Sequence, residues 1–374
     1  MTGPGLRRPR LSRIVAGLPT EIPFVAPEVM ERQTGRPFRV RIGANESSFG
    51  MSPIAIAAME RELPRASWYG DPESTELRGA LAVLLDVQPA CVAVACGIDD
   101  LQSIAVRAYM DPGDVAVMSR GAYPTFAYHV VGVGATVHAV PYGPDDRNDV
   151  EALAAAARAT SARVCFLANP DNPSGSWLEG TEVEALLRAL PDDCLLVLDE
   201  AYLEFGPPGG LPLDVADPRL IRFRTFSKAY GMAGLRIGYA LGERSLLAPF
   251  EGVRLHFGVS RVAQAGALAA LSDVAFLRGV VAAVAEGRDD YHRLAQGLGL
   301  TSLASHTNFV AIDLGSRERA AAAMEGLLTR GIFIRKPGDP PLDRCIRVTV
   351  GTPEERALLE TALAEVLTEG RAAG

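Results

Sequence analysis

The chain has 374 residues, 48% hydrophobic and 22% charged, which excludes a disordered tail or a single small module and leaves room for two domains. Its 37 basic against 45 acidic residues give a net charge of -8, so no global positive field exists to hold a nucleic-acid backbone, and a small-molecule partner is expected. Five scattered cysteines (Cys91, Cys96, Cys165, Cys194, Cys345), never in a C-x-x-C pair, argue against a disulfide framework or zinc site and fit a reducing cytoplasm.

The N-terminal "MTGPGLRRPRLSR" is basic but leads into no apolar core of signal-peptide length, and no apolar run approaches bilayer-spanning length, so neither secretion nor membrane insertion is expected. Its arginines, Arg7, Arg8, Arg10 and Arg13, read as a solvated terminus and receive no role. From about residue 90, short apolar runs alternate with helical-period segments. Strands are predicted at 92–95, 115–118, 135–140, 163–168, 194–199 and 220–225; "DDLQSIAVRAY", "VEALAAAARA" and "EVEALLRAL" between them repeat their apolar residues at three and four. Strand and helix in alternation mean an α/β unit with a largely parallel sheet. After about residue 272 a long helical stretch precedes "NFVAIDL", a helix, "GIFIRK" and "CIRVTVG". That reads as a smaller α+β domain (272–374), with 45–271 the large domain and the arm 1–44 packing partly into the small one.

In such sheets ligands bind outside the carboxyl ends of the strands. Four loops there carry unusual chemistry: "CGIDD" (96–100), "NPDNPSG" (169–175), "DEAY" (199–202) and "TFSK" (225–228). Lys228, an amine at a strand end, is a candidate nucleophile toward an aldehyde if burial lowers its pKa, although a lone lysine is ordinarily a surface residue. Arg236 offers a planar fork to a phosphate, with the hydroxyls of Thr225 and Ser227 beside it. The helix after "CGIDD" presents free amides around Ile98 and Asp99 as a second phosphate cradle; Asp99 reads equally as an N-cap. A lysine with two phosphate cradles points to a phosphorylated aldehyde cofactor.

Asp199 ends an apolar run and needs a partner if buried, for which a protonated pyridine nitrogen would serve. Tyr202 and Asn172 are placed to hydrogen-bond a ring hydroxyl, or are a packed aromatic and a turn residue. Phe126, in "YPTFAYH", either stacks on the cofactor ring or packs in the core. Arg347 alternates with Ile346 and Val348 and so faces away from the apolar side, toward ligand or solvent. No G-x-G-x-x-G follows the first strands, and the five histidines show no paired ligand spacing, so neither a nucleotide-dependent oxidoreductase nor a metal enzyme is expected.

With these residues assembled, the sequence resembles the pyridoxal-phosphate-dependent aminotransferases of fold type I, most closely the histidinol-phosphate aminotransferase family. The likeness runs through "ANESSFG", "YGDPESTELRGALA", "CGIDD", "NPDNPSG", "LVLDEAY", "TFSKAYGMAGLRIGY" and "CIRVTVGTPEE". The resemblance implies a seven-stranded, mostly parallel sheet flanked by helices, plus the smaller α+β domain. It implies that Lys228 carries the cofactor and shuttles the proton, that Asp199 meets the pyridine nitrogen, and that Tyr202 and Asn172 meet the ring hydroxyl. Thr225, Ser227, Arg236, Ile98 and Asp99 would hold the phosphate. Tyr69, in "WYGDP", matches a tyrosine reaching the neighbouring subunit's phosphate, which implies a homodimer with shared sites. Arg347 matches the arginine that receives the substrate's anionic group, Arg335 is a second candidate for that task, and Asn45 lies near the substrate or makes a turn. Phe24 stands where the family commonly has a tyrosine that helps bind the substrate's phosphate. The alternatives left open are an aminotransferase for an aromatic or other amino acid, and a related lyase or decarboxylase resembling phosphothreonine decarboxylase. A non-catalytic aminotransferase-like domain is a further alternative, against which Lys228, Asp199 and Arg236 argue.

Overall fold

The computed structural model describes residues 9–18, 25–208 and 210–372. Arg7, Arg8 and Phe24 lie outside the described residues.

Six strands of the main sheet fall on the expected runs: Val92–Ala95, Val115–Ser119, Thr136–Val140, Val164–Ala168, Leu195–Asp199 and Leu220–Thr225. Every residue of the last three is buried, as expected of strands covered on both faces, and this is why they read as unbroken apolar runs. Their side chains still alternate. Val164, Phe166, Leu195, Val197, Ile221 and Phe223 pack on one face under the helices Ile98–Tyr109 and Thr125–Gly132. Cys165, Leu167, Leu196, Leu198 and Leu220 pack on the other under Val150–Thr160 and Gly180–Ala189. The same parity carries Ala168, Asp199 and Thr225, the last residues of their strands, to the first face.

A seventh strand, Gly238–Gly242, was not among the predicted ones. It inserts between Val92–Ala95 and Leu220–Thr225 and runs antiparallel to both, whereas the other pairings are parallel. Its two glycines are poor strand formers, so propensity hides it. Gly238 is required by packing: a Cβ there would lie 2.8 Å from the Arg224 carbonyl oxygen and 3.2 Å from Gly97 Cα.

A second core gathers the helices Val274–Gly297, Arg317–Thr329 and Pro353–Ala372 over an antiparallel sheet of Cys345–Thr349, Phe309–Asp313 and Thr301–Ser302. Val40 and Ile42 belong to this core, and Val40–Arg41 pairs in parallel with Ile332–Phe333. Earlier in the arm, Val25 also meets this part of the protein, its carbonyl oxygen accepting from Arg335. Ile14, in the helix Arg13–Ala16, lies instead against Gly134, whose missing side chain leaves an apolar notch beside the main sheet. Among the described residues no single helix is long and apolar enough to cross a membrane, and no group of His, Cys, Asp and Glu is placed to hold a metal ion.

The loop after Leu220–Thr225 is locked from outside by Gly231, which holds a φ of +70° while a Cβ there would overlap the Gly50 carbonyl oxygen. Gly231→Ala combines left-handed strain with a backbone clash and is expected to cost about 2–4 kcal/mol. Thermal or urea denaturation of the purified variant measures this; a loss below about 0.5 kcal/mol, the range of neutral surface changes, would mean that the loop is free to move off residue 50.

Candidate active site

At the carboxyl ends of the central strands a cavity of about 340 Å³ opens between the main sheet and the second core. Strand parity delivers Ala168, Asp199 and Thr225 to its floor, and Asn45 and Arg347 close it from the other side. Lys228, three residues past Leu220–Thr225, reaches in with Nζ donating to the Asn45 carbonyl oxygen at 3.0 Å. Burial, followed by the positive field of Arg347, lowers its pKa to about 8, with Glu46 pulling the other way. An amine so placed is a nucleophile and a base near neutral pH.

Asp199 is 6% exposed, and burial raises its pKa to about 7 against the hydrogen bonds it accepts from Ala201 N at 3.0 Å and Gln102 Nε2 at 3.2 Å. Neighbouring Glu200 gives it no cation, because Glu200 accepts from Arg222 Nε at 3.1 Å and Arg224 Nε at 2.8 Å. Both hydrogen-bond donors to this buried carboxyl are neutral, so it is placed to accept a cationic N–H from a ligand.

The other end of the cavity suits an anion. The helix Ile98–Tyr109 starts at Gly97 with no side chain capping its free amides, so Ile98 and Asp99 lie where an N-terminal anion site forms. Asp99 is not the N-cap: it sits in the first turn, its carboxylate held low by His129 Nε2 at 3.0 Å. Gly97 must be glycine, with φ +87° and a Cβ position 2.8 Å from Arg236 Nη2. Arg236 itself is held at φ +53°, a backbone state unusual outside glycine. Thr225 Oγ1 donates to Ser227 Oγ at 2.9 Å and accepts from Ser227 N at 3.0 Å, which fixes both hydroxyls beside Arg236.

Between these poles Tyr202 OH accepts from Asn45 Nδ2 at 2.9 Å and from Asn172 Nδ2 at 3.4 Å. Burial pushes its pKa up, so it stays a phenol with a proton to donate. Arg347 Nη1 donates to Asn172 Oδ1 at 2.6 Å and Nη2 to the Gly43 carbonyl oxygen at 3.2 Å, while Nε is buried with no partner. Neither of these acceptors is charged, which leaves the guanidinium able to take an anionic group.

Three candidates stand elsewhere. Phe126 is fully buried and stacked on Phe166, ring centroids 4.6 Å apart, so the stacking role expected for it is corrected to core packing: it lies on the inward face of its helix. Tyr123, three residues earlier, lines the cavity instead, its N–H bonded to the Asn172 carbonyl oxygen at 3.0 Å. Arg335 pairs with Arg347 through its backbone, but Nη2 donates to the Val25 carbonyl oxygen at 2.7 Å, and the residue lies beside the cavity rather than in its lining. Tyr69 is 79% exposed, against Phe257 on the outer surface and away from this chain's own cavity. Sequence reasoning also passed over Gln102, Thr125 and Glu46, which line the cavity. Gln102 had a signal: it is a polar residue among Leu101, Ile104 and Ala105 on the buried face of its helix.

The donor set fits one molecule with a phosphate at one end, a basic ring nitrogen at the other and an electrophilic carbon near Lys228. The sequence model of a family described as aminotransferase class I and II matches residues 39–363. The chain is 33% identical over 357 residues, 94% of its length, to the histidinol-phosphate aminotransferase of Geobacillus sp. (strain WCH70), covering 97% of that protein. It is 36% identical over 339 residues to histidinol-phosphate aminotransferase 2 of Pseudomonas aeruginosa, covering 88% of this chain and 89% of that one. Among solved structures, the histidinol-phosphate aminotransferase of Sinorhizobium meliloti in complex with pyridoxal-5'-phosphate superimposes with a TM-score of 0.93 at 44% identity, over 97% of this chain and 99% of that one. The aspartate aminotransferase of Thermus thermophilus with maleate gives 0.82 at 25% identity, over 96% and 100%.

Proposed function

The chain belongs to the class I and II aminotransferase family and is a pyridoxal-phosphate-dependent aminotransferase of fold type I, and from that premise we propose that its amino donor is histidinol phosphate, with a 2-oxo acid as acceptor. The observation that carries the substrate reading is Arg347, a half-buried cation with a buried, unpaired Nε, on the wall facing Lys228 and apart from the cofactor's phosphate cradle. A donor with an anionic group beyond its amine is what such a site selects. Near-full-length similarity to histidinol-phosphate aminotransferases supports the phosphate as that group.

Pyridoxal phosphate, when bound, supplies the electron sink for the pair left when a Cα–H bond of the donor breaks. The proposed roles of the residues follow from their positions. Thr225, Ser227, Arg236 and the amides of Ile98 and Asp99 hold the cofactor's phosphate. Asp199 keeps the ring nitrogen protonated, Tyr202 donates its O–H to the ring oxygen with Asn172 and Asn45 behind it, and Tyr123 covers the ring. Lys228 Nζ would hold the cofactor at its electrophilic carbon and, with a donor bound, its free amine would take the proton from the donor Cα. Arg347 orients the donor so that this Cα–H faces Lys228.

The patch of Trp68, Tyr69, Leu255 and Phe257, exposed by 67%, 79%, 68% and 54%, supports a second copy of the chain as its cover, with Tyr69 reaching that copy's site. A cytoplasmic homodimer, with domains divided near residues 44 and 272, completes the proposal.

The test is the visible spectrum of the holoenzyme before and after adding L-histidinol phosphate, beside a panel of common amino acids. Bleaching of the yellow cofactor band, with growth of the amine form, on histidinol phosphate alone is the expected result. A change with other amino acids only would assign a different specificity. Release of carbon dioxide in place of amino transfer would sink the amino-transfer reading.

A further inference from the structure

Gln102 is fully buried one turn into the helix Ile98–Tyr109, whose first amides face the phosphate end of the cavity. Its Nε2 donates to Asp199 Oδ2 at 3.2 Å and its Oε1 accepts from Thr125 Oγ1 at 2.9 Å. We propose that Gln102 is a positioning residue for the reaction: with its oxygen anchored by Thr125, its amide N–H holds the Asp199 carboxyl in place and aims it at the cofactor's ring nitrogen. The inference rests on the reading of Asp199 given above.

The argument is one of donor and acceptor count. An ionised carboxylate only accepts, so the amide must present its nitrogen to Asp199. An amide flipped by half a turn would set Oε1 against the Asp199 carboxylate, two acceptors face to face, whereas in the observed orientation Oε1 takes the Thr125 O–H. Gln102 is 0% exposed and Asp199 6%, so the bond between them lies within the cavity lining, where its loss is costlier than at the surface. The amide opposes the effect of burial on Asp199, as Ala201 N does. One helix thereby ties the phosphate cradle to the ring-nitrogen partner, and a shift of either displaces the other.

The rival account is a core glutamine satisfied in place, and Gln102→Glu separates the two. Cofactor-free wild type, Gln102→Glu and Gln102→Met are titrated with pyridoxal phosphate from about pH 6 to about pH 9, and dissociation constants are compared as ratios to wild type at each pH. The other ionisable groups facing Asp199, namely Glu200, Lys228, Tyr123 and Tyr202, are common to all three proteins, so their titration cancels in the ratio.

At the low end the new acid still donates O–H to Asp199, and Gln102→Glu should bind within about twofold of wild type. At the high end two carboxylates face each other, and binding should be about tenfold weaker or worse. Gln102→Met should be about tenfold weaker at every pH, the size of a lost hydrogen bond to a charged group. A Gln102→Glu ratio that does not change with pH, or a Gln102→Met protein within about twofold of wild type, overturns the proposal. Should Gln102→Met not fold, the same-sized Gln102→Glu decides alone. If wild type binds no pyridoxal phosphate, the cofactor reading falls and this inference with it; if wild type binds and the variants match it, only the role of Gln102 falls.

Discussion

Lys228→Ala is expected to reduce amino transfer by about 10⁴-fold or more, since it removes the group proposed both to carry the cofactor and to move the proton. With a pKa lowered to about 8, roughly a quarter of the Lys228 amine is neutral at about pH 7.5, against about one part in a thousand for an ordinary lysine. Lys228→Arg tests this cause separately. It keeps a cation beside Glu46 and Asn45 but gives up its proton to nothing near neutral pH, and should be as inactive as alanine. Single-turnover kinetics with a saturating donor, on variants whose circular dichroism matches wild type, make the measurement. Activity within about tenfold of wild type in either variant would remove Lys228 from the chemistry.

For Asp199→Ala an activity loss of about 10²–10³-fold is expected, the equivalent of breaking the buried charge pair proposed between Asp199 and the ring nitrogen. Its acid–base behaviour gives a second readout that needs no cofactor. Burial raises the Asp199 pKa to about 7 in the folded protein, against about 3.9 in the unfolded chain, so between these values the folded state binds the extra proton. The contribution to stability is therefore fully present below about pH 4 and is lost as pH rises through about 7, by at most about 4 kcal/mol. Asp199→Asn, neutral at every pH, should flatten this part of the cofactor-free protein's stability profile, as read by urea denaturation at several pH values. Wild type and Asp199→Asn falling in parallel across that range would rule out Asp199 as the source. Lys228 acts in the opposite sense at higher pH: its lowered pKa makes the folded state bind fewer protons between about 8 and 10.5, so its term rises with pH there.

Much of the candidate site was legible because strand ends in a parallel sheet are visible as apolar runs that stop. Asp199 and Thr225 close two such runs, and Lys228 and Tyr202 lie within three residues of them. Their common face was not legible: both strands are apolar on both sides, and only the register, with Asp199 opposite Phe223, puts Asp199 and Thr225 on one side of the sheet. The antiparallel strand Gly238–Gly242 was not legible, since Gly238 is required by close backbone approach from Arg224 and Gly97, which local propensity does not record. The choice between ring stacking and core packing for Phe126, and any role for Tyr123, were not legible either. Both are aromatic residues just after a strand, and only the packing of the helix Thr125–Gly132 decides which faces Phe166 and which the cavity.

Local order was therefore set by the sequence itself: where strands and helices begin and end, which side chains of one element share a face, and which charged or nucleophilic groups close a strand. These depend on near-neighbour sterics and on periods of two and 3.6, which act along the chain. The tertiary structure alone decided how those groups meet. The bonds of Lys228 to Asn45, Asn172 to Arg347 and Gln102 to Asp199 span 183, 175 and 97 positions. Contacts of that separation are set by how the two cores close on the cavity, and so are the pKa values of Lys228 and Asp199, because burial, the largest cause of both shifts, is a property of the closed fold.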